Sequence, residues 1–377
     1  MKILHSYKVY RPEVDGGIPF VMAELGRMSE IGIDNSILVA RRQGLARNYQ
    51  HEGVDVEAVT SLGTLFSMPL APTFPIRLLQ RARSADVVVH HAPFPLSDLA
   101  AAQLPSQTGL VVYWHADIVG FSLLGKLVTP AINAALRRAD KIIVSHEATA
   151  EHSPFLTQFR DKWAVVPYCT EIDYWATCST EESVRVQQLR KNYPRLIVGT
   201  GRLVPYKGYR NLITAIKDID AQLILVGEGE LKSELEELAH ELGVADRVKL
   251  VGRVSRSEIK SYLHAARLFA FPSVTSAEAF GIVQLEAMAA GLPIVNTSLP
   301  TAVPHIARDD REAITVPVND VLALKAAIEK ILDDPALASR LGDAGRKRVR
   351  EEYSRERFQS RMKTIYDDVV QRRRSAN

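Results

Sequence analysis

The sequence predicts an α/β protein of two Rossmann-like domains facing each other across a cleft. Three observations carry that expectation. Short apolar, β-branched runs alternate with longer helical patterns along the 377 residues. Several runs are apolar without polar alternation, as in parallel strands covered by helices on both faces. The alternation breaks once, between about residues 171 and 194, and then restarts. Length agrees, since single cores rarely grow beyond ~250–300 residues.

In the first half the strand candidates are 2–6, 36–39, 87–91, 110–114, 141–145 and 164–167. In the second they are 196–200, 222–226, 248–251, 268–271, 293–296 and 314–316. Alternating β and α units imply right-handed crossovers and open, doubly wound sheets. The expected division is a first Rossmann-like domain over 1–172, a partly helical linker over 173–194 and a second such domain over 195–352. A last helix over 353–377 is expected to cross back to the first domain. Phe358, Met362, Ile365, Tyr366 and Val369 give that helix one apolar stripe. Ligands of open α/β sheets bind beyond the carboxyl ends of the strands. Two sheets facing each other would place a site between domains.

Composition excludes several classes. Apolar residues make up 46% and charged residues 24%, with a net charge of +3. No clustered basic face marks a nucleic-acid binder. Cys169 and Cys178 make neither a disulfide framework nor a zinc site. The N-terminus enters a strand pattern directly, and no 18-residue apolar stretch follows, so a cytoplasmic protein is expected. Two features are compatible with weak peripheral contact at an inner membrane face. One is the basic run from Arg346 to Arg374, interrupted by acids and equally readable as a solvated helix face. The other is the loop 61–75, with Phe66, Met68, Leu70 and three prolines, equally readable as packed on its own domain.

The most informative stretch runs Ser276-Ala-Glu278-Ala279-Phe280-Gly281-Ile282-Val-Gln-Leu-Glu286-Ala-Met-Ala-Ala-Gly291-Leu-Pro293. It follows the strand 268–271. A helix is expected from near Gly281, and its free N–H groups and positive dipole end favour a phosphate. Glu278 and Glu286 are eight residues apart, about 12 Å of rise if helical throughout. That matches the scale from a sugar to a ribose across a diphosphate. Spacing alone equally allows two solvated glutamates beside a buried Ala-rich helix.

A second stretch, Gly199-Thr-Gly201-Arg202-Leu-Val-Pro-Tyr-Lys207-Gly208, leaves the strand 196–200. Its glycines permit close backbone approach. Arg202 and Lys207 would stabilise negative charge growing on a departing diphosphate, the alternative being two solvated loop cations. No GxGxxG follows either domain's first strand, which argues against NAD. A third candidate is His115, just past the strand 110–114, where it could meet a sugar hydroxyl, the alternative being a satisfied structural histidine; His90 and His91 are read as structural. No DxD-like carboxylate pair suits a metal–diphosphate. Gly16 and Gly17 open the first helix and allow backbone approach there.

Taken together these stretches resemble the family-4 type of retaining glycosyltransferases with the GT-B architecture. The match runs from Gly16-Gly17 through His115, Gly201-Arg202, Lys207-Gly208, Gly227-Glu-Gly229 and Val251-Gly252-Arg253-Val254 to Glu278 and Glu286. The resemblance implies that the second domain binds the nucleotide sugar and the first serves the acceptor. Arg202 and Lys207 would contact the diphosphate. Glu278 would bind the transferred sugar, helped by backbone N–H groups of Ala279, Phe280, Gly281 and Ile282. Glu286 would bind the ribose and Gly17 the distal phosphate. His115 would touch the sugar as the first domain's catalytic candidate. The family uses no metal or cofactor and retains configuration, in the usual account by front-face attack. The opening residues, Ile3 to Pro12 leading to Gly16-Gly-Ile, resemble bacterial transferases that build O-antigen or capsule with mannose or a deoxysugar. That suggests GDP-mannose as donor, with UDP-sugars as rivals, and a saccharide or lipid-linked saccharide as acceptor. A sugar-nucleotide epimerase would need further acid/base groups. A non-catalytic binding protein would be expected to lack Arg202, Lys207 or Glu278, and all three are present.

Overall fold

The computed structural model describes residues 1–65, 68–117 and 122–375, so Phe66 lies outside the described residues. The chain divides into two compact units, Met1–Tyr168 with Arg355–Asn377, and Cys169–Ser354.

Unit 1 begins with β1 (Lys2–Tyr7), α1 (Gly17–Gly26), β2 (Asp34–Ala40), β3 (Arg47–His51) and β4 (Val54–Val59). A small hairpin, β5 (Thr64–Leu65) and β6 (Met68–Pro69), leads to α2 (Phe74–Ala82). Then come β7 (Val87–Ala92), α3 (Pro95–Ala101), β8 (Gly109–Trp114), α4 (Ser122–Arg138), β9 (Lys141–Val144), α5 (Glu147–Glu151) and β10 (Trp163–Val165). The main sheet has the order β10-β9-β8-β7-β1-β2-β4-β3. All its pairs are parallel except β3 with β4. Every residue of β7 and β8 is buried, which fits their unalternated apolar pattern.

Unit 2 opens with α6 (Ile172–Ala176) and α7 (Thr180–Asn192), then β11 (Leu196–Thr200), α8 (Tyr209–Ile216), β12 (Gln222–Val226), α9 (Lys232–Glu241) and β13 (Val248–Gly252). It continues through α10 (Arg256–Ala265), β14 (Leu268–Phe271), α11 (Ile282–Ala290), β15 (Ile294–Thr297), α12 (Val303–Ile306), β16 (Ala313–Val316), α13 (Val321–Asp333) and α14 (Pro335–Glu352). Its sheet is wholly parallel, in the order β13-β12-β11-β14-β15-β16.

The stretch expected as a linker, 173–194, is instead part of unit 2. Ser179 and Glu182 form a reciprocal capping box at the start of α7. Glu182 is buried, accepts from Ser257 at 2.7 Å and pairs with Lys260 at 2.8 Å. That pairing of α7 with α10 fixes a helix whose polar sequence reads as a connection.

The last helix, α15 (Arg355–Ser375), belongs to unit 1. Phe358, Met362, Tyr366 and Val369 are buried, and Ile365 at the stripe's edge is half-buried. Val369 packs where a side chain at Gly109 would clash. Arg355 grips the buried Glu24 of α1 with two guanidinium nitrogens, and Gln359 donates to the Glu24 carbonyl at 3.2 Å. The basic run is largely balanced locally. Lys363 pairs with Asp367, Arg372 with Asp368 and Arg373 with Asp140.

The docking of α15 rests on its apolar stripe. Met362→Ala is expected to destabilise unit 1 by about 2–5 kcal/mol, the cost of emptying a full side chain from a core. Chemical denaturation followed by a unit 1 tryptophan signal reads this out. A loss within about 0.5 kcal/mol, typical of surface sites, would mean that α15 is not part of that core.

Candidate functional site

Strand order fixes where the site of unit 2 lies. From β11 the chain winds outward through β12 and β13, then returns to β14 beside β11 and winds the other way. This reversal is a topological switch point, where helices leave on opposite faces and open a crevice beyond the strand ends. The loop 201–208 leaves β11 and the loop 272–281 leaves β14. The fold therefore joins the two motifs, although Lys207 and Glu278 are 71 positions apart.

Lys207 Nζ donates to Glu278 Oε2 in a short ion pair. Both residues are more than nine-tenths buried. Ser273 Oγ donates to the same carboxylate oxygen at 3.2 Å. Ser273 is itself anchored, because its carbonyl accepts from Thr297 Oγ1 of β15 at 2.5 Å. The Lys207 ammonium also lies 5.0 Å from the ring centre of Phe271 and 5.5 Å from that of Tyr206. Arg202 is exposed, donates to Tyr206 Oη at 3.1 Å and lies over the same ring. Tyr206 thus bridges the two cations. Burial, with the Glu278 charge next in weight, drives the Tyr209 phenol well above its ordinary range.

Local geometry explains the loops. Gly208 has φ +69° and ends the turn holding Lys207; any side chain there would meet the Pro272 carbonyl. Gly281 has φ +80° and caps α11, with a side chain excluded by Phe271. The helix begins at Ile282, so residues 278–281 approach it as a loop and the 12 Å rise does not apply between the glutamates. The Gln284 N–H is bonded to the Gly281 carbonyl. The N–H groups of Ile282 and Val283 precede the first intrahelical bond, as at any helix start. Ala279 and Phe280 lie buried in the preceding loop. Glu286 sits half-buried on α11, and its charge acts on Arg256 at the start of α10.

In unit 1 the switch point lies between β1 and β7. Gly17 begins α1 beyond β1, behind Gly16 at φ +148°. Asp15 Oδ1 accepts from the Gly16 N–H at 3.0 Å. His115 is not isolated. Its Nε2 lies 2.8 Å from His91 Nδ1, and its Nδ1 lies 2.6 Å from Tyr168 Oη. His91 Nε2 lies 3.1 Å from His5 Nδ1, and His5 Nε2 lies 3.1 Å from Asn35 Oδ1. Strand alternation turns the adjacent His90 to the other face, where Nε2 meets Asp98 at 2.7 Å.

The chain of rings has one consistent direction. Burial holds His5 down to about 4 and His115 to about 3, and takes His91 well below the ordinary imidazole range. All three are therefore neutral near pH 7, each with one donor and one acceptor. The Asn35 amide donates to the Ile33 carbonyl, which leaves Oδ1 to accept. His5, His91 and His115 must then all carry the proton on Nε2, and Tyr168 donates to His115 Nδ1. Both nitrogens of His115 are spent on protein partners. The expected contact between its side chain and a sugar hydroxyl is thus not available in this arrangement.

Two family descriptions match the chain: glycosyl transferases group 1 over residues 180–348, and the glycosyl transferase 4-like domain over residues 16–169. The chain is 34% identical over 302 residues to a GDP-mannose-dependent monoacylated alpha-(1-6)-phosphatidylinositol monomannoside mannosyltransferase of Corynebacterium glutamicum, covering 76% of this chain and 77% of that one. It belongs to the family-4 type of glycosyltransferases. The transferase is also 29% identical over 360 residues to the D-rhamnosyltransferase WbpZ of Pseudomonas aeruginosa, covering 93% and 92% of the two chains. Its fold matches that of a sucrose-phosphate synthase from Thermosynechococcus elongatus, a GT-B protein, with a TM-score of 0.83 at 21% identity over 98% of each chain.

The sequence motifs of the transferase located Arg202, Lys207 and Glu278, and the fold brings the last two into contact. Tyr206, Ser273 and the His5–His91–Tyr168 connections went unnoticed. Tyr206 lies between the two cations in sequence, which was an available signal. Ser273 and the histidine chain join residues by strand order alone.

The neutral chain makes a pH prediction. Histidines in the unfolded state titrate near 6.5, whereas buried His5 stays neutral to about 4. Between these values the unfolded state binds more protons. Stability is therefore complete above about pH 6.5 and is lost as pH falls toward 4, each such histidine adding up to ~1.4 kcal/mol per pH unit. Melting curves across that range should show the slope, and His91→Gln should make it shallower. Nitrogen-15 NMR should find Nε2–H on all three rings; an Nδ1–H signal for His91 would contradict the chain.

Proposed function

We propose that this transferase moves mannose or a related hexose from GDP-mannose to a saccharide or lipid-linked saccharide, with retention of configuration and without a metal ion or cofactor. The reaction serves polysaccharide or glycoconjugate assembly. The observation that carries this reading is the Lys207–Glu278 pair at the switch point of unit 2. It sets a cation for phosphate beside a carboxylate for sugar hydroxyls. The donor assignment is supported by the Corynebacterium relative, whose name specifies GDP-mannose, and by the resemblance in the first residues. An epimerase is less well supported, since the named relatives are transferases.

In this reading Lys207 and Arg202 bind the diphosphate. The acceptor oxygen bonds to the anomeric carbon on the face from which the phosphate departs. The carbon–phosphate-oxygen bond breaks, and the acceptor proton passes to a phosphate oxygen. Negative charge grows on the leaving diphosphate, so its cations favour the transition state over the ground state. Glu278 accepts from sugar hydroxyls, with the backbone of Ala279, Phe280, Gly281 and Ile282 beside it. Glu286 takes the ribose, and Gly17 adjoins the distal phosphate. His115 serves as a positioning residue through its chain.

The test is a transfer assay with GDP-mannose in excess EDTA, with the product anomer read by NMR. Full activity and an α-linked product are expected. Activity restored only by magnesium or manganese would remove metal independence. A β-linked product would remove retention, and turnover with UDP-sugars alone would remove the donor.

We further propose that the protein works at the inner membrane face, touching it through unit 1. No described helix is long and apolar enough to cross a membrane. With much of the basic tail paired, the better surface is the β5–β6 hairpin. Leu62 is 73% exposed, and Leu65 and Leu70 are exposed beside it. Leu45, 79% exposed, lies on a loop tied to this hairpin by the Gly44–Ser61 bridge and the Thr64 bond to the Arg42 carbonyl. Arg42 and Arg47 flank it and are exposed. Exposed leucines with flanking cations suit an anionic bilayer surface. Sedimentation with phosphatidylglycerol vesicles should show binding that raised salt weakens. Leu62→Ser with Leu65→Ser should reduce it several-fold. Unchanged binding in that variant would move the contact elsewhere.

A further inference from the structure

Lys207 and Glu278 are each other's partner, yet the proposed reading asks both to bind the donor. We propose that this pair is a latch that discriminates the sugar nucleotide from the nucleoside diphosphate product, with Glu278 competing against the product for Lys207. The inference rests on the reading of Lys207 as a diphosphate ligand and Glu278 as a sugar ligand.

The argument follows from burial and from atom counting. Both charges are more than nine-tenths buried. A charge in such a place is costly once its partner is withdrawn. When a diphosphate enters, the Lys207 ammonium shifts toward it. The aromatic faces of Phe271 and Tyr206 border this ammonium, and Tyr206 also carries Arg202. The shift therefore follows a path lined by cation-binding rings. Glu278 is left with the Ser273 hydroxyl on Oε2. One neutral donor keeps the carboxylate in position but does not replace an ammonium.

The intact donor repairs this loss. Its sugar hydroxyls donate to the carboxylate, so Lys207 and Glu278 both regain partners. The product carries the same diphosphate but has no sugar, and binding it strands Glu278. The wild-type site should thus hold the donor well and the product poorly, which speeds product departure. Glu278 contributes to specificity twice, by binding the sugar and by penalising its absence. Ser273 is a positioning residue for the carboxylate in the interval when Lys207 has moved.

Calorimetry on the full-length protein tests this with GDP and GDP-mannose, and with UDP and UDP-glucose if the guanosine ligands do not bind the wild type. Glu278→Ala should tighten nucleoside diphosphate binding by roughly tenfold, within the usual range of coupling between sites. The same variant should weaken the intact donor. Glu278→Gln, which keeps shape and removes charge, should do likewise and guards against a folding defect in the alanine variant. In a Lys207→Ala background the gain from Glu278→Ala should disappear, because no cation remains to be released. Unchanged or weaker product binding in both Glu278 variants would overturn the latch. A gain that persists in the Lys207→Ala background would also overturn it, since plain repulsion would then suffice. If Lys207→Ala leaves product binding intact, the phosphate role itself fails, which separates failure of that reading from failure of the latch.

Discussion

The reversal of strand order in each parallel sheet is the constraint on which the rest of this protein depends. Neighbouring β11 and β14 send their chains in opposite directions, so their loops diverge at a switch point, the place where such sheets bind ligands. Lys207 and Glu278 each stand on one of these loops. The strand order alone brings the two motifs into contact. Ser273 and Thr297 extend the same logic to β15, which ties the carboxylate to a third strand. The site is a property of sheet topology before it is a property of any loop.

The two units solve burial of polar groups in different ways. Unit 1 buries imidazoles and keeps them neutral, so desolvation is offset by a directed series of hydrogen bonds ending on a fixed amide. Such a chain is satisfied with no ligand present and favours one rigid arrangement. Unit 2 buries opposite charges that satisfy each other. A neutral chain has little reason to rearrange, whereas a charge pair responds when an anion arrives. The proposed latch therefore rests on the pair, and rigidity belongs to the histidines.

Much of this was legible in the sequence, and the exceptions share a cause. Ten strands, β1, β7, β8, β9 and β11 to β16, were located within one residue at either end because buried parallel strands read as bounded apolar runs. The β3–β4 hairpin escaped because Arg47-Asn-Tyr-Gln-His carries no apolar run and lies at the sheet edge. Helix α7 read as a linker because its fixing contacts, from Glu182 to Lys260 and Ser257, are polar and distant in sequence. Periodicity reports burial against an apolar core and is silent about polar docking.

The same limit applies to His115, whose ring partners the sequence did not reveal. It follows β8, next to β7, which borders the switch point of unit 1. Its chemistry depends on His91 and His5, which adjoin it only through the strand order β8-β7-β1. A histidine read alone offers a donor and an acceptor; three in register offer these only at the ends of their series. Here one end is the Asn35 carbonyl oxygen and the other is Tyr168. The group through which this series would communicate with anything outside it is therefore the tyrosine, and His115 supplies the acceptor that holds the phenol in place.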